Sequence, residues 1–259
     1  MGKTTTGQLD FTALNGKKTT AVFDEPQVSS DGGVLLLREV DRHTGLMDRL
    51  AAVITDQRRS SHVAHQVAEL LRQRTCQISC GYEDADDCDH LRADPALKTA
   101  VGRDPLTAHD LGSQPTMTRL ENAVNTRDLL RLGYAFVDHF IAYLYETVYC
   151  DRGRMEQMIK DHKTALKSDR TSCHRKEANQ FRLFIHSAAY VLMHALRENL
   201  LRSSELAKAQ FDTIRLRLLK IGTRVEIGKT FIRFHFPACY PMQPLLFRAT
   251  AVLNALNSS

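Results

Sequence analysis

"YETVYCDRGRMEQMIKDHK", residues 145–163, decides how this chain is read. Taken as a helix, it advances about 100° per residue. On that wheel Tyr149, Arg152, Glu156 and Lys163 fall inside one arc about 60° wide, and Lys160 and Lys167 extend the same line. Met155, Met158, Ile159 and Leu166 take the neighbouring face, an apolar stripe suited to a core. A glutamate held among cations keeps its charge and can bind a divalent metal. Cations set along one line suit a phosphate backbone. The same residues also describe an ordinary solvated face, with Arg152 and Glu156 as an i,i+4 pair. Gly153 costs about 1 kcal/mol relative to Ala inside a helix, which fits either close backbone approach or a helix that starts after it.

Charge divides near the start of this stretch. Residues 1–144 carry 16 Lys and Arg against 20 Asp and Glu, a net of −4. Residues 145–259 carry 19 against 10, a net of +9. A basic half points to a polyanionic partner, because each phosphate neutralised by Lys or Arg releases a condensed counterion. Arg170, Arg175, Lys176, Arg182, Arg215, Arg217, Lys220 and Arg224 are the further cations of that half, and Arg58-Arg59, Arg72 and Arg74 form a smaller basic group in the front half. The 259 residues allow one large domain or two small ones. No run of about 18 apolar residues occurs, so no membrane span is expected. The first residues show no apolar signal core, and a cytoplasmic location with reduced thiols is expected for the six cysteines.

Elements are read from periodicity. Residues 1–31 look like an irregular arm with a short strand at Thr20–Phe23, closed by Asp31-Gly32-Gly33. Val34–Ile54 reads as helix interrupted near Gly45, and His62–Ser79 as a second helix stopped by Gly81. An acidic loop, YEDADDCDHLRADP, leads to a short helix after Pro95. A long helix is expected from about Met117 to Leu144, capped by Ser113 or Thr116, with Thr118 and Glu121 at capping-box spacing. Helix is expected again over 145–168, over 174–200 with Phe181, Phe184, Ile185, Ala188, Val191, Leu192 and Ala195 facing the core, and over Ser203–Ile221 with Gly222 as its C-cap. TRVEIGKTFIRFHF alternates as a β-hairpin, and a last helix follows at about 245–257. The fold class is therefore mainly α.

Two other clusters carry chemistry in principle. Cys76, Cys80, Cys88 and His90 give C-x3-C-x7-C-x-H, loosely zinc-like but without the C-x2-C knuckle, and the first two fall on a helix where buried thiols are ordinary. Asp84, Asp86, Asp87 and Asp89 crowd the acidic loop, and Asp138 lies on a predicted helix.

Tyr149, Arg152, Glu156 and Lys163 form Y-x2-R-x3-E-x6-K, which resembles the signature around the third acidic residue of bacterial insertion-sequence DDE transposases. SSDGGVLLLREVDRHTGL, the stretch LLRQRTCQISCGYEDADDCDHLRADPALKTAVGRD and LGSQPTMTRLEN are similar to the front end of one large group of them. YCDRGRMEQMIKDHK, DRTSCHRKEANQFRLFIHSAAYVL and AKAQFDTIRLRLLKIGTRV are similar to its back end. The resemblance implies an RNase H-like core in which three carboxylates hold two Mg²⁺ ions for in-line attack on a phosphodiester. It implies Glu156 as the third carboxylate and metal ligand, DNA backbone contacts by Arg152 and Lys163, and Tyr149 beside the phosphate; Lys160 and Lys167, on the same helical line, are the further DNA-contact candidates. The partner implied is transposon-end DNA, with self-association as an additional expectation. The apolar strands that carry the first two aspartates are expected between LRLGYAFVDHFIAYL and YETVYC, yet the sequence runs directly from one to the other. The expected organisation is an arm (1–31), a helical front region (32–144) and a remnant of the RNase H-like α/β domain (145–259) joined near Leu144/Tyr145 after an internal deletion. The competing expectation is a non-catalytic helical remnant that binds DNA or only oligomerises.

Overall fold

The Asp31-Gly32-Gly33 turn sets the first long element against the far end of the chain. The Gly32 and Gly33 amides donate to the carbonyls of Ile221 and Leu219 at 2.9 and 3.2 Å. A Cβ on Gly33 would lie 1.6 Å from the Leu218 carbonyl oxygen, so only glycine lets these backbones meet. The computed structural model describes residues 9–14, 17–21, 27–58, 63–143, 159–169 and 173–256.

From this turn α1 runs over Val34–Thr44 and buries Val34, Leu36, Leu37 and Val40. Gly45 ends it at φ 64, a left-handed position suited to glycine, and α2 (Leu46–Ala52) follows at once. Asp41 holds the elbow: its carboxylate accepts from the Met47 amide at 2.9 Å and from Arg72 Nε at 2.9 Å. Helix α3 (Val67–Ser79) is buried along most of its length. Its Gln73 side chain pairs with both backbone groups of Gly112, at 2.7 and 2.8 Å, and so fixes the loop around that glycine. Two short helices, α4 (Asp87–Leu91) and α5 (Pro95–Val101), come between, the second capped by Asp94 Oδ1 on the Leu97 amide.

The helix expected from Met117 to Leu144 is two helices, α6 (Gln114–Ala123) and α7 (Thr126–Tyr143). Asn125 makes the break. Its Oδ1 accepts from the amides of Arg127 and Asp128, at 2.9 and 3.0 Å, which starts a new helix instead of continuing the old one. Thr118 and Glu121 form no capping box; both lie inside α6.

Past the residues not described, Asp161–Ala165 is a π-helical turn, π1, in which the Leu166 amide donates to the Asp161 carbonyl. Helix α8 (Lys176–Leu200) is the central rod. It buries Phe181, Ile185, Ala188, Val191, Leu192 and Ala195 as their spacing predicts, and it packs on α1, α3, α6 and α7. The helix expected over Ser203–Ile221 shrinks to α9 (Phe211–Ile214) and a second π-helical turn, π2 (Arg215–Leu219). Ser204 makes the difference: its hydroxyl donates to the Leu201 carbonyl and accepts from the Leu206 amide, closing a turn. Lys220 terminates the element, and Gly222 is not among the glycines with positive φ. Helix α10 (Gln243–Leu256) closes the chain.

Strands are few. β1 (Leu9–Leu14) and β2 (Lys17–Ala21) form an antiparallel hairpin in the arm. β4 (Thr223–Ile227) and β5 (Ile232–His235) form the expected C-terminal hairpin, with Val225 opposite Phe234. A two-residue strand, β3 (Val28–Ser29), adds to β4 to give a three-stranded antiparallel sheet in the order β3-β4-β5. No parallel or mixed sheet occurs among the described residues. Both sides of the charge boundary feed one hydrophobic cluster, from Val34, Leu37 and Leu70 to Phe181, Leu192, Phe211 and Leu253. Among the described residues no helix is long and apolar enough to cross a membrane.

Candidate nucleic-acid interface

Of the 145–163 stretch and its continuation to 169, the structure describes residues 159–169. Tyr149, Arg152 and Glu156 lie outside the described residues. Lys160 and Lys163 are exposed, and neither makes an ion pair among the described residues. The π1 turn corrects the single line expected of Lys160, Lys163 and Lys167: it inserts a residue into the helical repeat, and Lys167 follows the turn half-buried at φ 55. The sequence-predicted cations therefore divide into an exposed pair, Lys160 and Lys163, and a third set apart from them.

The backbone of this segment is held firmly from beneath. Arg215 donates from Nη2 to the Ala165 carbonyl at 2.5 Å and from Nε to the Ser79 carbonyl at 2.8 Å. Asp161 forms a buried pair with Arg197 at 3.3 Å, and Arg197 in turn lies 4.9 Å over the Phe211 ring. His186 Nδ1 donates to the Leu166 carbonyl at 2.7 Å; burial pushes its imidazole down to about 4, so the ring is neutral at neutral pH. His162 Nδ1 lies 2.7 Å from Ser168 Oγ and its Nε2 lies 3.2 Å from Ser187 Oγ. Burial lowers the His162 pKa as well. No sequence motif announces these two histidines, because their partners are single serines and a backbone carbonyl at unrelated spacings.

Above this base lie two adjoining depressions that share Ser168 and Leu183 as lining. One, of about 410 Å³, is also lined by Ile159, His162, Lys163, Asp169 and Tyr190. The other, of about 420 Å³, is lined by His174, Lys176, Asn179 and Gln180 as well. Lys163 lines the first and Lys176 the second, near the N-terminal end of α8, where the helix dipole also favours an anion, while Asp169 and the apolar side chains of Ile159, Leu183 and Tyr190 share the first depression. The two lysines are the cations that these depressions offer to an anionic ligand.

Many of the other expected cations are already engaged by partners within the chain, some of them inside the protein and some, such as Arg58 and Arg175, on its surface. Arg182 donates twice to Glu121 Oε2, from Nε and Nη2, at 2.8 Å each. Arg74 is buried and donates to the carbonyls of Tyr82 and Glu83. Arg72 pairs with Asp41 and Asp48, Arg58 with Asp56, and Arg175 donates to the Asn122 carbonyl. Lys220 pairs with the fully buried Asp31 at 2.9 Å and sits 3.8 Å over the Tyr82 ring, while Tyr82 donates its hydroxyl to Asp31 Oδ2 at 2.8 Å. Arg217 and Arg224 remain exposed; Arg59 and Arg170 lie outside the described residues.

The acids and thiols are also placed. Asp87 Oδ2 accepts from the Asp84 amide and shapes the loop locally, while Asp89 Oδ1 accepts from the Gln114 amide and ties the loop to the start of α6. Asp138 is exposed on α7. Cys76, Cys80 and Cys88 are buried free thiols, with burial pushing Cys76 up to about 12 and Cys88 up to about 11. Cys88 donates to Gln77 Oε1 rather than meeting His90, which is exposed. Protonated thiols are poor zinc ligands. Among the described residues no three His, Cys, Asp or Glu side chains converge on a point where a metal ion could sit. Mg²⁺ asks for several oxygen ligands in near-octahedral array, and the described residues do not supply that set.

A family model described as Transposase DDE domain group 1 matches the chain in two segments, residues 11–144 and 142–258. Neither the curated proteins nor the solved structures yield a match.

Proposed function

Because the chain belongs to the Transposase DDE domain group 1 family, whose members act in DNA recombination, we propose that it is a transposase with the middle of its catalytic core missing, able to bind DNA but not to cut or join it. One observation carries this reading. The two matched segments meet at residues 142–144, where the strands bearing the first two catalytic aspartates are expected. Glu156 is then the surviving third carboxylate, and a single carboxylate holds a divalent ion only weakly, leaving it mostly hydrated. The absence of any parallel or mixed sheet among the described residues supports the same reading.

DNA contact falls to the basic back half. Lys160 and Lys163 are exposed, Lys163 and Lys176 each line one of the two adjoining depressions, and Tyr149 and Arg152 join them by resemblance. The packing of both matched segments into one cluster favours a folded DNA-binding remnant over two unconnected pieces. The test uses supercoiled plasmid and duplex oligonucleotides with Mg²⁺ or Mn²⁺. Binding that weakens steeply with salt, with no nicking or strand transfer, is the expected result. Cleavage that disappears in Glu156→Ala sinks the proposal of a defective core.

A further inference from the structure

We propose that the outer face of α7 is a self-association surface on which two copies of this chain pair antiparallel. Leu130, Tyr134, Val137 and Ile141 are 60%, 63%, 53% and 62% exposed. Their spacing of four, three and four residues is that of a coiled-coil seam. At about 100° per residue the four side chains stay within an arc about 60° wide. The opposite face of α7 is already in use, with Leu132 and Asp128 buried and Phe136 stacked on Phe184 at 5.6 Å between ring centroids. A contiguous apolar stripe of this kind on an otherwise mixed surface marks an interaction site.

Charge selects the occupant. The spacing reads the same in both directions, so a two-fold axis through the middle of the stripe sets Leu130 against the partner's Ile141 and Tyr134 against the partner's Val137. Arg131 and Asp138 each follow a seam residue directly and flank the same side of it; both are exposed, and Arg131, although it lies 3.9 Å from the buried Asp128 carboxylate of its own helix, keeps about half of its side chain in solvent. The antiparallel arrangement places Arg131 beside the partner's Asp138 and Asp138 beside the partner's Arg131, two opposite-charge pairs. A parallel arrangement would set these charges opposite Gly133 and Phe140, which offer no ion. A nucleic acid does not suit the stripe, because its side chains are apolar and offer a phosphate no partner. The two-fold interface uses one patch twice, the commonest form of self-association. With only four seam layers the dimer is weak and depends on concentration.

Sedimentation equilibrium of the full chain over a wide concentration range tests this, with far-UV circular dichroism to confirm folding. A monomer–dimer equilibrium is expected. Tyr134→Glu should abolish the dimer, and Asp138→Arg should weaken it about tenfold, equivalent to about 1.4 kcal/mol. Adding Arg131→Asp to Asp138→Arg should restore it, since both pairs are then reversed together. A monomer at every concentration overturns the proposal, as does a dimer indifferent to Asp138→Arg. Failure of the double reversal to restore the dimer overturns the antiparallel geometry. Asp138 is exposed, so its variant remains informative even if Tyr134→Glu disturbs the fold.

Discussion

Two side chains near the depressions show how burial fixes chemistry. Burial pushes the His186 imidazole from the ordinary 6.5 down to about 4. The unfolded chain therefore takes up the proton first. Its contribution to stability is complete above about pH 6.5, falls as the pH drops towards 4, and levels off below that, a loss on the order of 3 kcal/mol. The urea midpoint should fall markedly between pH 7 and pH 4.5, and less so in His186→Gln, which keeps a donor for the Leu166 carbonyl. Some acid sensitivity should persist, because burial also brings His139 down to about 4. Arg182 and Glu121 illustrate the other side of burial. The Glu121 side chain is 3% exposed and receives both of its Arg182 hydrogen bonds at one oxygen. Arg182→Ala leaves that carboxylate buried without its cation and should cost about 3–5 kcal/mol. Thermal denaturation measures this directly. By charge alone Arg182 counts as a DNA contact; its distant acidic partner, 61 residues away, is what makes it structural.

At the scale of elements, what was legible followed from side-chain repeats. The apolar core positions of α1, α3 and the first half of α8 recur at helical spacing, and the apolar residues of β4 and β5 alternate, so their character shows in the sequence itself. The breaks do not show. Asn125 and Ser204 interrupt helical patterns by bonding to nearby backbone, a choice equally open to the same residues on a solvated helix face. β3 is two residues long and exists only because β4 offers it an edge. The π1 turn is stabilised from outside, through Arg215 on the Ala165 carbonyl, so a wheel drawn over 145–168 could not anticipate where Lys167 falls. The glycines separate these two kinds of information in a testable way. Gly222 has the sequence position of a C-cap, yet it has open space where a Cβ would be and no positive φ. Gly33, in an ordinary Asp-Gly-Gly turn, abuts the Leu218 carbonyl. Gly222→Ala should change stability by less than about 0.5 kcal/mol. Gly33→Ala should cost about 3 kcal/mol or more by forcing α1 away from π2. Equal effects in chemical denaturation would contradict the close approach of α1 to the end of the chain.

For the whole molecule, net charge and DNA affinity have to be separated. The back half nets +9, but Arg182, Arg197, Arg215 and Lys220 lie in internal pairs with Glu121, Asp161, Asp212 and Asp31. A cation already matched by an acid releases few counterions on binding DNA, so the salt slope should report only the exposed ones. Lys163, from the sequence signature, and Lys160, from the same predicted helical line, are both exposed. Removing one cation from a phosphate lowers the slope of log K against log salt by about 0.9. Lys160→Ala with Lys163→Ala should therefore reduce the slope by about 2, with no change in thermal stability. Arg215→Ala should do the reverse, because it removes the clamp that joins π1 to the end of α3: thermal stability falls, and the slope measured on the folded fraction stays the same. Filter binding or fluorescence anisotropy over a salt series, alongside melting curves for the same proteins, separates the two behaviours. An unchanged slope in the double lysine variant would move the DNA interface away from this segment, to Arg217 and Arg224 on the exposed surface beyond α9.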